Sequence, residues 1–149
     1  MLEQADFTTV KMICIAYGTN DWNYGNDIDD SDNKYSVSTY CGAIRYSIEK
    51  IMSKYPHIRI GLMSPLFRML NDLPVDGQVN SKGSTLLDFC NALRGVAVEY
   101  HLPYFDHYNI GINSLNHSAF LRDGAHPTYT DGVDLLGAVF ANDISSVLR

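Results

Sequence analysis

Residues 9–22 read TVKMICIAYGTNDW, and this stretch decides how the rest of the chain is parsed. Thr9 to Tyr17 is a nearly continuous apolar run, as expected of a β-strand covered on both faces. It stops at Gly18, which permits a tight exit from a strand, and a polar cluster follows at once.

Working outward, Val37, Tyr40, Cys41, Ile44, Ile48, Ile51 and Met52 recur at helical spacing, which predicts an amphipathic helix over Tyr35 to Tyr55. His57 to Met63 is a second short strand. From Ser64 to Gly83 there is no sustained period, only prolines and glycines, and a connection of this length often carries function. Thr85 and Asp88 form a T-x-x-D capping pattern ahead of Leu86, Phe89, Cys90, Leu93 and Ala97 on one helical face. Leu102 to Phe105 predicts a third strand. An irregular region with Gly111, Asn113 and Asn116 precedes a last helix, expected to start near Thr130 and to bury Val133, Leu136, Phe140, Ile144 and Val147.

Strands alternating with helices predict βαβ units, hence an α/β fold with a parallel sheet covered by helices on both faces. Without a repeat or a low-complexity linker, residues 1–149 read as one domain. In such sheets the active groups gather beyond the carboxyl ends of the strands. Two clusters fall there: Gly18-Thr19-Asn20-Asp21-Trp22 after the first strand, and Asp123-Gly124-Ala125-His126-Pro127 before the last helix.

Bulk properties narrow the function classes. A length of 149 residues is enough for one core, and 46% hydrophobic with 19% charged residues is the make-up of an ordinary globular protein. The net charge of -6 and the lack of any Lys/Arg run argue against nucleic acid and against an anionic membrane surface. No apolar stretch is long enough to span a bilayer. Met1 to Thr9 is polar and acidic, unlike a secretory signal, so a cytoplasmic location is expected if Met1 is the true start. The cysteines, Cys14, Cys41 and Cys90, are odd in number and form no CxxC, so they read as reduced, buried small hydrophobes. Asp27, Asp29, Asp30 and Asp32 invite a calcium reading, yet the glycine and closing glutamate of an EF-hand are missing at the required offsets. A solvated acidic loop is expected, and no metal.

Together the G-x-N-D cluster at Gly18–Asp21 and the D-x-x-H cluster at Asp123–His126 resemble two of the four sequence blocks of the SGNH (GDSL-type) hydrolases. The likeness extends to the Ser64-Pro65 pair after the second strand, the approach Asn80-Ser81-Lys82-Gly83 to the second helix, and the Gly111-Ile112-Asn113 loop. It implies a three-layer α/β/α sandwich of flavodoxin-like type and an ester hydrolase, either lipase-like or acting on carbohydrate acetyl esters, with no cofactor. His126 is implied as general base and acid, Asp123 as its orienter, and Asn20 as a donor to the oxyanion. Gly18, Thr19 and Asp21 support that loop; Trp22, Ser64, Phe67 and Arg68 are candidates for the substrate pocket. For Trp22, packing under a loop is an equal alternative.

The chemistry suits these residue types. Ester hydrolysis by a serine needs a base that is neutral near pH 7, and imidazole meets that need. A carboxylate three residues earlier, across a glycine-containing turn, can accept one ring N–H and leave the other nitrogen free. Pro127 biases His126 toward extended backbone and is expected to help start the last helix.

The family's G-D-S block, which carries the nucleophile, occurs nowhere in the chain, and only seventeen residues precede Gly18. The resemblance therefore implies an N-terminally truncated domain, incomplete as an enzyme, whose serine lies outside this chain. The alternative is an inactive remnant that acts as a binding or structural domain. The family's strand order, 2-1-3-4-5, leaves one flank of the Thr9–Tyr17 strand without its neighbour. A second copy, a swapped segment or a separate chain is expected to cover it.

Overall fold

The computed structural model describes residues 5–71 and 73–148. Three strands form a parallel sheet in the order β1-β2-β5: β1 (Met12–Ala16), β2 (Arg59–Met63) and β5 (Tyr104–Phe105). The register pairs Ile13 with Ile60, Ile15 with Leu62, and Leu62 with Tyr104. Paired residues in a parallel ladder share a face, so these five side chains point one way. They meet the apolar faces of α2 (Tyr40–Lys54) and α3 (Leu86–Glu99), where Ile44, Ile48, Ile51, Phe89 and Leu93 complete the main core.

The alternate residues, Met12, Cys14, Gly61, Met63 and Phe105, point to the other face. Gly61 is required there, because a Cβ would lie 2.5 Å from the Phe105 ring. The long helix α5 (Asp131–Leu148), which follows the one-turn helix α4 (His117–Phe120), covers this side: Leu136 and Phe140 line a cleft with Ala16, and Asp143 bonds His107 at the end of β5. Helix pair, sheet and single helix make the three layers of an α/β/α sandwich. None of the described helices is long and apolar enough to cross a membrane.

Local sequence explains most boundaries. Thr85 caps α3 in a full capping box, its hydroxyl accepting from the Asp88 amide while the Asp88 carboxylate accepts from the Thr85 amide. Several boundaries differ from expectation. The first strand begins only at Met12, after a turn at Thr8 and Thr9. The first long helix begins at Tyr40, because Thr39 caps it and Tyr35–Ser38 form a turn before it. The stretch 64–83 holds a small hairpin, β3 (Met69–Leu70) with β4 (Leu73–Pro74). Pro127 does not start a helix; it pairs with Leu121 in an isolated bridge.

The burial expected on α5 is only partly present. Val133 is 50% exposed, Leu136, Phe140, Ile144 and Val147 are half-buried, and Gly132 alone is fully enclosed. Three short strands offer the helix a narrow bed. Cys41 and Cys90 are buried and Cys14 half-buried, all with free thiols. The acidic loop is drawn into ion pairs, Asp29 with Arg45 and Asp27 with Lys82. No group of three or more potential metal ligands occurs among the described residues.

Candidate active site

The G-x-N-D block sits where β1 ends. Gly18 has φ +126°, and a Cβ there would lie 2.8 Å from Pro65 and 2.9 Å from the Tyr40 hydroxyl, so only glycine fits. Tyr40 Oη donates to the Tyr17 carbonyl at 3.0 Å and fixes the exit of the strand. Thr19 to Tyr24 then form the short helix α1, with Gly25 as a left-handed C-cap. Asp21 accepts from the Asn26 amide at 3.0 Å and holds the end of this turn. Trp22 is buried and its indole N–H donates to the Ser84 carbonyl at 3.0 Å, so it packs beneath the loop. Asn20 is exposed, and its side-chain amide bonds no described residue. It lines a cleft of about 350 Å³ with Ala16, Gly18, Ser64, His107 and Phe140.

The D-x-x-H block is a tight turn built on one carboxylate. Asp123 Oδ1 accepts from the amides of Ala125 (3.0 Å) and His126 (2.8 Å), and Oδ2 lies 2.8 Å from His126 Nδ1. These bonds hold the Asp123 carboxyl well below the usual carboxylate range, the His126 amide contributing most. An ionised carboxylate only accepts, so in the neutral form of the ring Nδ1 carries the proton and Nε2 presents its lone pair. The imidazole side chain is 66% exposed, which leaves that nitrogen open to a reactant. Gly124, at φ +79°, lets the turn press on the next segment: a Cβ would lie 2.9 Å from the Met69 carbonyl.

Segment 65–69 joins the two blocks. Pro65 packs against Gly18, the Arg68 guanidinium lies 5.6 Å from the centroid of the Trp22 ring, and the Met69 amide donates to Gly124 at 2.7 Å. Phe67 is buried in a small second core with Met69, Ile112 and Leu121, and so supports this segment from below. Ser64 lines the cleft beside Asn20 but is buried, its hydroxyl accepting from the Tyr108 amide at 2.9 Å.

One pair at the site has no counterpart in the sequence reading. His107 is buried, with Nε2 2.7 Å from Asp143 Oδ2 and its ring edge-on to Phe140. It ties α5 to the end of β5 and forms part of the cleft beside Asn20. The partners are 36 residues apart, so no local motif signals them.

No family model matches the sequence, and no curated protein matches it. Solved structures do. A protein from Lactobacillus plantarum matches with TM-score 0.84 at 16% identity, over 99% of this chain and 72% of that one. A GDSL-like lipase from Bacteroides thetaiotaomicron matches with TM-score 0.63 at 20% identity, over 92% of this chain and 63% of that one. The fold is that of the SGNH hydrolases. A peptidoglycan O-acetylesterase shares this SGNH-type fold too, with TM-score 0.64 and 22% identity over 91% of this chain and 37% of its own. Nearly three-tenths of the Lactobacillus chain thus has no counterpart in these 149 residues.

Proposed function

We propose that this chain supplies the base, its orienting carboxylate and an oxyanion donor of an SGNH-type serine ester hydrolase. The Asp123–His126 turn carries the reading: a 2.8 Å bond to Nδ1 fixes the tautomer of an exposed imidazole. His126 Nε2 takes the proton of a serine hydroxyl as the oxygen attacks the ester carbonyl, then passes it to the departing alkoxide. Asp123 steadies the imidazolium between these steps. The Asn20 amide, with no protein acceptor of its own among the described residues, donates to the oxyanion; such a donor contributes on the order of 3 kcal/mol to the barrier. Water then attacks the acyl-enzyme by the same proton route.

The serine in this scheme belongs to a polypeptide segment outside the 149 residues, since no G-D-S occurs within them. A small acyl ester, such as an acetylated carbohydrate, is the proposed substrate. The modest cleft beside Asn20 and the likeness to a peptidoglycan O-acetylesterase support that choice.

The missing nucleophile also favours a second reading, an inactive SGNH-like domain kept for binding or structure. Hydrolysis of p-nitrophenyl acetate separates the two. The chain alone should match its His126→Ala variant at background rate. Joined to an upstream segment bearing a G-D-S block, the wild type should exceed that variant by roughly 10²–10⁴-fold. If the upstream DNA encodes no such block, or the joined protein stays at background, the inactive reading stands.

A further inference from the structure

Arg68 sits on the segment shared by the two motif blocks, and its main chain is fixed on both sides. The Val75 amide donates to the Arg68 carbonyl at 3.1 Å, Phe67 before it is buried, and Met69 after it is bonded to Gly124. The side chain therefore leaves from a rigid base and lies over the indole face of Trp22.

Among the described residues the guanidinium has no acceptor. Arg45 donates to Asp29, Glu99 and the Lys34 carbonyl. Arg59, Arg94 and Arg122 donate to Val147, Asp106 and Tyr129 respectively. Arg68 donates to no described residue, and its Nε is buried without any partner. Burial pulls this guanidinium below its ordinary pKa, against the attraction of Asp123. That carboxylate is close enough to be felt, yet it makes no hydrogen bond or ion pair to Arg68; its recorded partners are the Ala125 amide and the amide and ring of His126. A half-buried cation with unpaired donors is costly to keep, more so than a neutral group.

We infer that Arg68 receives a carboxylate carried by the ligand of this site, so that the ester handled here is one bearing an acidic group on its acyl or alcohol part. Naming the ligand an ester rests on the hydrolase reading above; the anion site itself follows from the position of Arg68. A guanidinium fork placed over an indole can match a planar carboxylate in bidentate fashion. A net charge of -6 repels anions in general, so capture at this point requires a specific cation rather than a diffuse field.

Trp22 is the one tryptophan of the chain and reports on the contact. Its fluorescence should change saturably on titration with sodium succinate or sodium acetate, but not with sodium chloride at equal ionic strength. Arg68→Gln should abolish the response, and Arg68→Lys, which keeps the charge and loses the fork, should weaken apparent affinity at least about fivefold. Circular dichroism reports whether each variant folds, and if the glutamine variant does not, the lysine variant decides. An equal response to chloride, a response unchanged in the folded variants, or no saturable response at all overturns the anion site. The readout uses neither a serine nor turnover. A silent titration would therefore leave the hydrolase reading untouched, and failure of hydrolysis would leave the anion site untouched.

Discussion

At the scale of single residues, the Asp123 carboxylate does more than face an imidazole: it also organises the turn that presents it. Its pKa is depressed in the folded chain, so the loop stability it gives is fully present above the ordinary value of 3.8 and is lost only as pH falls through the lower folded value. A carbon-detected NMR titration should show the Asp123 carboxyl still ionised at about pH 3, where ordinary aspartates are mostly protonated. A midpoint close to 3.8 would contradict the turn geometry. Asp123→Asn should leave the fold intact but release the imidazole from its fixed tautomer, visible in the ring nitrogen shifts of His126. The thiols give an independent check at this scale. Burial pushes Cys41 and Cys90 up to about 12, so in the native protein at mildly alkaline pH a maleimide should reach half-buried Cys14 first. Equal rates at all three would mean that the core opens faster than the reagent reacts. The D-x-x-H turn was legible in sequence because its bonds span at most three residues. The His107–Asp143 pair was not, because only the packing of α5 on the sheet brings it together.

Among the elements, legibility follows the strength of local signals. The capping box of α3 could be read from Thr85 and Asp88 because both halves lie within four residues and satisfy the same pair of amides. Thr85→Ala should cost about 1 kcal/mol in denaturant unfolding, with the slope unchanged. A cost near zero would mean that solvent caps the helix equally well. The β3–β4 hairpin has two residues per strand, too few for an alternating pattern, and it exists because it carries the Met69 amide to Gly124. Gly124→Ala tests that junction. The residue would be forced into left-handed backbone with its Cβ 2.9 Å from the Met69 carbonyl, so the turn must move away from the hairpin. Amide exchange should then speed up at Met69 and His126 together. Acceleration at only one of them would show that the two segments are not coupled. The partial burial of α5 was equally beyond a sequence reading. Its apolar period is regular, but how much of it is covered depends on the width of the sheet beneath.

Over the whole molecule, both outer strands of the sheet, β1 and β5, are paired on one side only among the described residues, and β1 is the longer of the two. β1 pairs with β2 and has no second neighbour among the described residues, although Met12–Ala16 is as apolar as a central strand. Beside it runs a groove of about 390 Å³ lined by Ile13, Ile15, Ile44 and Ile51, with Tyr17 and Asp21 at one end. Unpaired strand amides beside an apolar groove are a template for another extended segment. In the proposed enzyme that segment is the one that brings the serine, since a strand added here would end at the same sheet rim as Gly18 and Asn20. Without it, the chain should use the edge on itself. Sedimentation equilibrium should detect association that strengthens with protein concentration. Ile13→Lys, which places at the groove the residue that blunts natural edges, should shift the equilibrium toward monomer while leaving β1–β2 pairing in place. Hydrogen exchange would locate the change, with outward β1 amides protected in the associated form and exposed in the variant. A chain that stays monomeric at high concentration, with those amides exchanging freely, would show that this edge recruits nothing, and the entry route proposed for the serine would go with it.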